Sequence, residues 1–183
     1  MRWSMVCAVA ALAVVAGCGD GGRTTSAPSP TAVRRLTVTS EAYADGGSIP
    51  RRHTCDGADV SPPLALSGVP AHAATLALLL RDTDAPHGTF THWLMWDIDP
   101  RTRHLSAGER PHGSAEGRND FGRPGYGGPC PPRRDRPHRY VLTVYAADRR
   151  LSLAAGSTAS DLLRALSGHT VAMGTLTGRY GRG

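Results

Sequence analysis

The sequence has no lysine: all 21 residues of the Lys/Arg class are arginine. Apart from a local excess at Arg133, Arg134, Arg136 and Arg139 they are scattered, and no basic stripe interleaved with aromatics marks a nucleic-acid surface. Nucleic acid is excluded as a partner on that ground. Arginine suits bidentate contacts to carboxylate or phosphate, and the missing lysine is otherwise a matter of genome composition. His-Glu-x-x-His, Gly-x-Ser-x-Gly and paired-cysteine metal motifs are missing too, and no side chain stands out as an activated nucleophile. The expectation is a protein that is not an enzyme and carries neither cofactor nor metal. No repeats occur, and the longest opening apolar run, Val6 to Ala16, falls short of the ~20 residues that span a bilayer.

That short run follows Arg2 and ends in Val15-Ala16-Gly17-Cys18, which reads as a signal peptide over 1–17. Small residues closing on a cysteine resemble a lipobox, in which Cys18 is acylated, with palmitate or a related chain, and becomes the mature N-terminus. The competing reading is an ordinary signal peptide with an incidental cysteine. Two acyl chains anchor stably where one binds only marginally, so the expected place is the outer face of the cell membrane. Residues 18–33 are mostly Gly, Ser, Thr, Pro and Ala, too poor in large apolar groups to offset their own ordering, and read as a flexible tether. Residues 34–183 are then left for one domain with a single core. Loss of Arg2 lowers the net charge from +6 to +5.

The domain reads as mainly β. Leu36–Thr39 and Arg139–Ala147 alternate, Thr75–Arg81 is a continuous apolar run suited to a strand buried on both faces, and Trp93–Ile98 and Thr170–Thr177 complete the set. One helix is expected before the last strand, capped by Ser157 or Thr158, with Asp161 in its first turn, a Leu162, Leu163, Leu166 stripe and Gly168 at its end. Several short strands with one short helix predict an antiparallel β-sandwich or barrel. The long Gly/Pro/Arg/Asn-rich stretch Ser106–Pro137 is of a length that is usually functional.

Three polar segments interrupt these strands: Cys55-Asp-Gly-Ala-Asp-Val-Ser-Pro-Pro-Leu64; Asp82-Thr-Asp-Ala-Pro86 running on to His92-Trp93; and Gly125-Tyr-Gly-Gly-Pro-Cys-Pro-Pro132 with His138-Arg-Tyr140 behind it. Residues at strand ends converge on one rim. Gly127 and Gly128 permit an exposed backbone whose amides form an anion nest; His92 and His138 donate to the same anion; Asp82 orients a histidine or meets a ligand ammonium. Taken singly, each feature has a plainer account. Asp-x-Asp is a turn device, a lone histidine at a strand start is a satisfied structural group, and Phe90, Trp93 and Trp96 are core. Cys55 and Cys130 read either as a disulfide of an oxidising compartment or as two small residues shaping a pocket wall.

Together with Gly117-Arg-Asn-Asp-Phe-Gly122, these segments resemble, in order and spacing from about Leu36 to Tyr180, the phosphatidylethanolamine-binding protein family, and within it the bacterial Raf-kinase-inhibitor-like (YbhB/YbcL) branch. The resemblance implies an antiparallel β-sandwich with a small anion pocket at one edge, lined by Asp82, Pro86, His92, Gly128, Pro129, Pro131, His138 and Tyr140. Such pockets take phosphate-like and carboxylate-like groups, phospholipid head groups among them. Eukaryotic relatives inhibit kinases or proteases, but their C-terminal helix has no counterpart after Tyr180.

Three function classes follow. The first is a lipid-anchored binding protein for a small anion or phospholipid head group. The second is an inhibitor or regulator of an exported protease or other protein partner. The third, disfavoured by the missing motifs, is a hydrolase in which Asp82, Asp84, His92 and His138 hold a metal or act as acid and base. The physiological ligand, the protein partner and the choice between monomer and homodimer stay open.

Overall fold

The computed structural model describes residues 33–183; the signal-peptide and Cys18 readings, and all but the last residue of the tether, lie outside them. Nine strands, one α-helix and a short 3-10 helix at Arg51–His53 are present among the described residues: β1 (Arg34–Arg35), β2 (Thr37–Thr39), β3 (Leu64–Ser67), β4 (Thr75–Asp82), β5 (Phe90–Ile98), β6 (His104–Leu105), β7 (Ala115–Glu116), β8 (His138–Ala147), α1 (Ala159–Leu166) and β9 (Thr170–Tyr180). They form a six-stranded sheet, β1-β9-β8-β4-β5-β7, and a three-stranded sheet, β2-β3-β6. All pairings are antiparallel except β1 with β9.

The period-2 alternation of strand side chains decides where the core sits. On β4, Leu76, Leu78 and Leu80 point to the small sheet, where they meet Val38, Leu64, Leu66 and Leu105, while Ala77 and Leu79 point the other way, toward Leu162 and Leu166 of α1. Thr75–Leu80 is buried throughout, as its unbroken apolar run requires. The expectation of a single core is corrected here: one sheet carries an apolar layer on each face, because α1 and the Leu151–Leu153 segment cover what the small sheet leaves open.

Helix α1 begins at Thr158, whose hydroxyl accepts from the Asp161 amide while the Asp161 carboxylate accepts from the Thr158 amide, the reciprocal cap its sequence predicts. Leu162 and Leu166 are buried, but Leu163 is 37% exposed, so the predicted three-leucine stripe is narrower than expected. Strand β5 starts three residues earlier than the apolar run suggested. The short strands β3, β6 and β7 pass unseen in the sequence because two to four residues carry no readable period.

Strand β5 is bulged twice against β4. Leu80 pairs with Trp93 and Arg81 with Thr91, which leaves His92 as the extra residue. A bulge bends the strand and re-aims the side chain it displaces. The second bulge, at Trp96–Asp97, with Asp97 at φ 57, returns Ile98 to the inner face beside Met95.

Candidate functional site

Asp82 closes β4, Phe90 opens β5 and His138 opens β8. Asp82 is in register with Phe90 on one side and Tyr140 on the other, so three distant segments meet at one end of the large sheet. Asp82, His92, His138 and Tyr140 are each at most 3% exposed. Those four predicted residues are brought together.

His92 lies within β5 rather than ahead of it. Its Nδ1 donates to the carbonyl oxygens of Gly127 at 2.7 Å and Gly128 at 3.1 Å, which places the proton of the neutral ring on Nδ1 and leaves Nε2 with a lone pair. No partner for Nε2 is found among the described residues. Burial pulls the His92 pKa below its usual 6.5, against the opposing pull of the Gly127 carbonyl and the Asp82 charge. The ring stands edge-on to Tyr140, centroids 5.2 Å apart, and to Phe121 at 5.3 Å.

The Tyr140 hydroxyl is fully buried and no group meets it in good hydrogen-bond geometry, although the Asp82 carboxylate and the Cys130 amide lie close enough to act on it. Burial and then the Asp82 charge hold its pKa far above the usual phenol range, so it is a neutral donor. An orphaned buried hydroxyl costs stability unless something pairs with it.

His138 is used up internally. Its Nδ1 donates to Asp82 Oδ2 at 2.7 Å and its Nε2 lies 3.1 Å from Asp135 Oδ2. Burial alone would lower its pKa, but hydrogen bonds to the two carboxylates outweigh that and raise it above 6.5. The expectation that both histidines donate to one anion is not met in the free chain, where Asp82 and Asp135 take both nitrogens of His138. Asp82 orients a histidine, as one of its two expected roles had it, and its Oδ1 accepts from the Asp84 amide at 2.9 Å.

The predicted amide nest is corrected as well. The Gly127 amide donates to the His92 carbonyl at 3.0 Å, and the Gly128 amide donates to Asp59 Oδ1 at 2.6 Å. Neither glycine has positive φ. They are required by close approach instead: a Cβ on Gly127 would stand 2.6 Å from the Phe121 ring, and one on Gly128 would stand 2.6 Å from Asp59 Oδ1 and from the His53 carbonyl. The loop presents carbonyls to the histidine rather than amides to an anion.

Disulfide-bonded Cys55 and Cys130 clamp this loop to the turn before β3, with the Cys55 amide donating to the Pro129 carbonyl at 3.2 Å. Of the two readings of these cysteines, the structure has the bridge. Pro129 and Pro131 are buried in the same loop, whereas Pro86 lies exposed in the turn after Asp84. Asp84 is held apart by Arg139, whose Nη2 and Nε donate to it at 2.8 and 2.9 Å, and that pairing keeps its carboxyl well below the usual range. No group of three or more His, Cys, Asp or Glu side chains is placed to hold a metal among the described residues.

Three residues of the site went unassigned in the sequence, and a fourth, Phe90, was read otherwise. Asp59, at φ 54, caps Gly128; Asp135 caps His138; Phe121 and Phe90 pack on the His92 ring, their centroids 4.8 Å apart. Phe90 was read as core, yet it borders the site. The only sequence signal was position: Asp59 and Phe121 sit inside motif segments, and Asp135 precedes His138 by three residues.

The family profile described as phosphatidylethanolamine-binding protein matches residues 39–181. A protein of Mycobacterium tuberculosis that carries the lipoprotein name LppC is 38% identical over 192 residues, covering 93% of this chain and 95% of that one. Among solved structures, the homologue CT736 of Chlamydia trachomatis matches with a TM-score of 0.77 at 36% identity over 82% of this chain and 99% of its own. YbcL of Escherichia coli matches at 0.76 and 30% identity over 81% and 99%.

Proposed function

The chain belongs to the phosphatidylethanolamine-binding protein family, in its bacterial branch, and from that premise we propose that it is a non-enzymatic binding protein for a small phosphate- or carboxylate-bearing ligand. One observation carries the reading: the buried, unpartnered Tyr140 hydroxyl beside a His92 ring whose Nδ1 is pinned by loop carbonyls. The hydroxyl donates. Nε2 accepts from a protonated ligand oxygen or, once protonated, donates to an ionised one. Either way one shared proton sits in the contact, brought by the histidine or by the ligand.

Because the His92 pKa is lowered, the affinity for a fully ionised anion climbs as pH falls below 6.5, not at it. Calorimetric titration between pH 5 and 8 with sulfate, which stays fully ionised there, tests this, with inorganic phosphate and phosphoethanolamine as probes that themselves take up a proton in that range. Replacing Tyr140 by Phe removes one hydrogen bond to a charged group, worth about 1.5–3 kcal/mol, and weakens phosphate binding roughly tenfold or more. Equal binding by wild type and Tyr140→Phe would overturn the assignment.

The name of the Mycobacterium tuberculosis relative supports the lipoprotein reading of Cys18. β1, where the described chain begins, pairs with Ala172–Met173, at the other end of β9 from the Gly178–Tyr180 stretch that flanks Tyr140 and His138. The described domain therefore begins at the end of the sheet away from the site. Cys18→Ser is expected to move the protein from the membrane to the soluble fraction; full membrane retention of that variant contradicts anchoring.

A further inference from the structure

Asp135 holds a position that an anion would take. Its side chain is 41% exposed, yet its Oδ2 lies 3.1 Å from Nε2 of His138, a ring only 1% exposed and bound through Nδ1 to buried Asp82. The carboxylate sits at the tip of the loop between Pro131 and Pro137. Arg134 beside it adopts φ 65, a left-handed conformation that is uncommon for a non-glycine residue and costs energy. The loop backbone is tied by the Arg134 amide on the Arg182 carbonyl at 2.9 Å and by the Asp135 amide on the Pro132 carbonyl at 3.3 Å, and Arg136 reaches Asp84 at 3.4 Å. The other Asp135 oxygen, by contrast, meets only the Arg136 amide, at 2.8 Å. Nothing else pins the carboxylate.

We propose that Asp135 is a resident anion: it occupies the second donor of His138 in the free protein, and a ligand phosphate or carboxylate displaces it. The proposal rests on the anion-binding reading and adds its regulation. Both nitrogens of His138 face carboxylates, and with the ring protonated Asp82, His138 and Asp135 together carry one net negative charge. An incoming anion meets that charge until Asp135 leaves, and the Nε2–H donor then becomes available to it. The loop acts as a self-inhibitory strap that sets the ligand concentration at which the site fills.

The test uses inorganic phosphate and the full chain. Asp135→Ala frees the donor and removes one charge, and tightens phosphate binding on the order of tenfold, the size of one charge-assisted hydrogen bond. Asp135→Asn keeps an acceptor on Nε2 but loses the charge, and tightens binding by a smaller factor. In wild type, phosphate shifts the His138 Nε2 resonance as the carboxylate is exchanged for the ligand; in Asp135→Ala the free protein already lacks that partner. If wild type binds phosphate but both variants bind it equally or more weakly, Asp135 supports the site rather than competing for it, and the proposal falls alone. If neither wild type nor Asp135→Ala binds phosphate, the anion reading falls and takes the proposal with it.

Discussion

Reduction of the Cys55–Cys130 bridge is expected to lower the melting temperature by about 10 °C. The bridge closes a loop spanning a sequence separation of 75, which in the chain-entropy account restricts the unfolded chain by about 4 kcal/mol; at this domain size each kcal/mol shifts the midpoint by about 2–4 °C. Cys55 is exposed, so reductant reaches the bridge without prior unfolding. The site is expected to respond too, because the bridge ties the Gly127–Pro131 loop, whose carbonyls set the His92 tautomer, to the turn before β3. Thermal scans with and without reductant check this. Two free thiols titrating in the native, unreduced protein would contradict it, as would an unchanged midpoint.

Asp82→Asn is expected to destabilise the fold by about 3 kcal/mol below neutral pH, the cost of removing one partner from a buried ion pair, and to change how stability depends on pH. His138 has a raised folded pKa. Its contribution is fully present below the unfolded value of about 6.5 and is lost as pH rises through the folded value. His92 has a lowered folded pKa, so its burial costs stability as pH falls below about 6.5. Wild type is therefore most stable near pH 6.5, with the alkaline decline set by His138 and the acidic one partly by His92. With Asp82 neutral, His138 loses its shorter carboxylate contact and the alkaline decline flattens, while the acidic side is little changed. Denaturant titrations from pH 5 to 8.5 read both slopes; parallel profiles for wild type and Asp82→Asn would contradict the ion-pair account.

The strands with a long period were legible. Thr75–Arg81 and Arg139–Ala147 could be placed because seven to nine residues carry a pattern that burial on both faces or on one face imposes. The Thr158–Asp161 cap was legible because two side chains satisfy two amides locally. The meeting of Asp82, His92, His138 and Tyr140 came from motif order, since the register that pairs Asp82 with both Phe90 and Tyr140 is a property of the sheet and leaves no local trace. The donors were misjudged for a related reason. A Gly-Gly pair announces freedom of the backbone, but whether its amides are free depends on side chains far away in sequence. Asp59, 69 residues from Gly128, takes one amide, and the His92 carbonyl takes the other. Asp135 was overlooked because a lone aspartate in an arginine-rich loop looks like a solvated charge. The bulge that isolates His92 in β5 depends on a mismatch between two strands, and neither strand reveals it alone.

The central claim is that His92 keeps Nε2 open for a ligand next to the Tyr140 hydroxyl, and nitrogen NMR of the His92 imidazole tests it most directly. In the free protein at pH 7 the account predicts a neutral ring protonated on Nδ1, with Nε2 unprotonated. Saturating inorganic phosphate is expected to place a proton between Nε2 and the ligand, moving the Nε2 resonance strongly and Nδ1 little, with the midpoint of that shift moved to roughly tenfold higher phosphate or more in Tyr140→Phe. A free ring protonated on Nε2, or an Nε2 resonance indifferent to phosphate, would contradict the account.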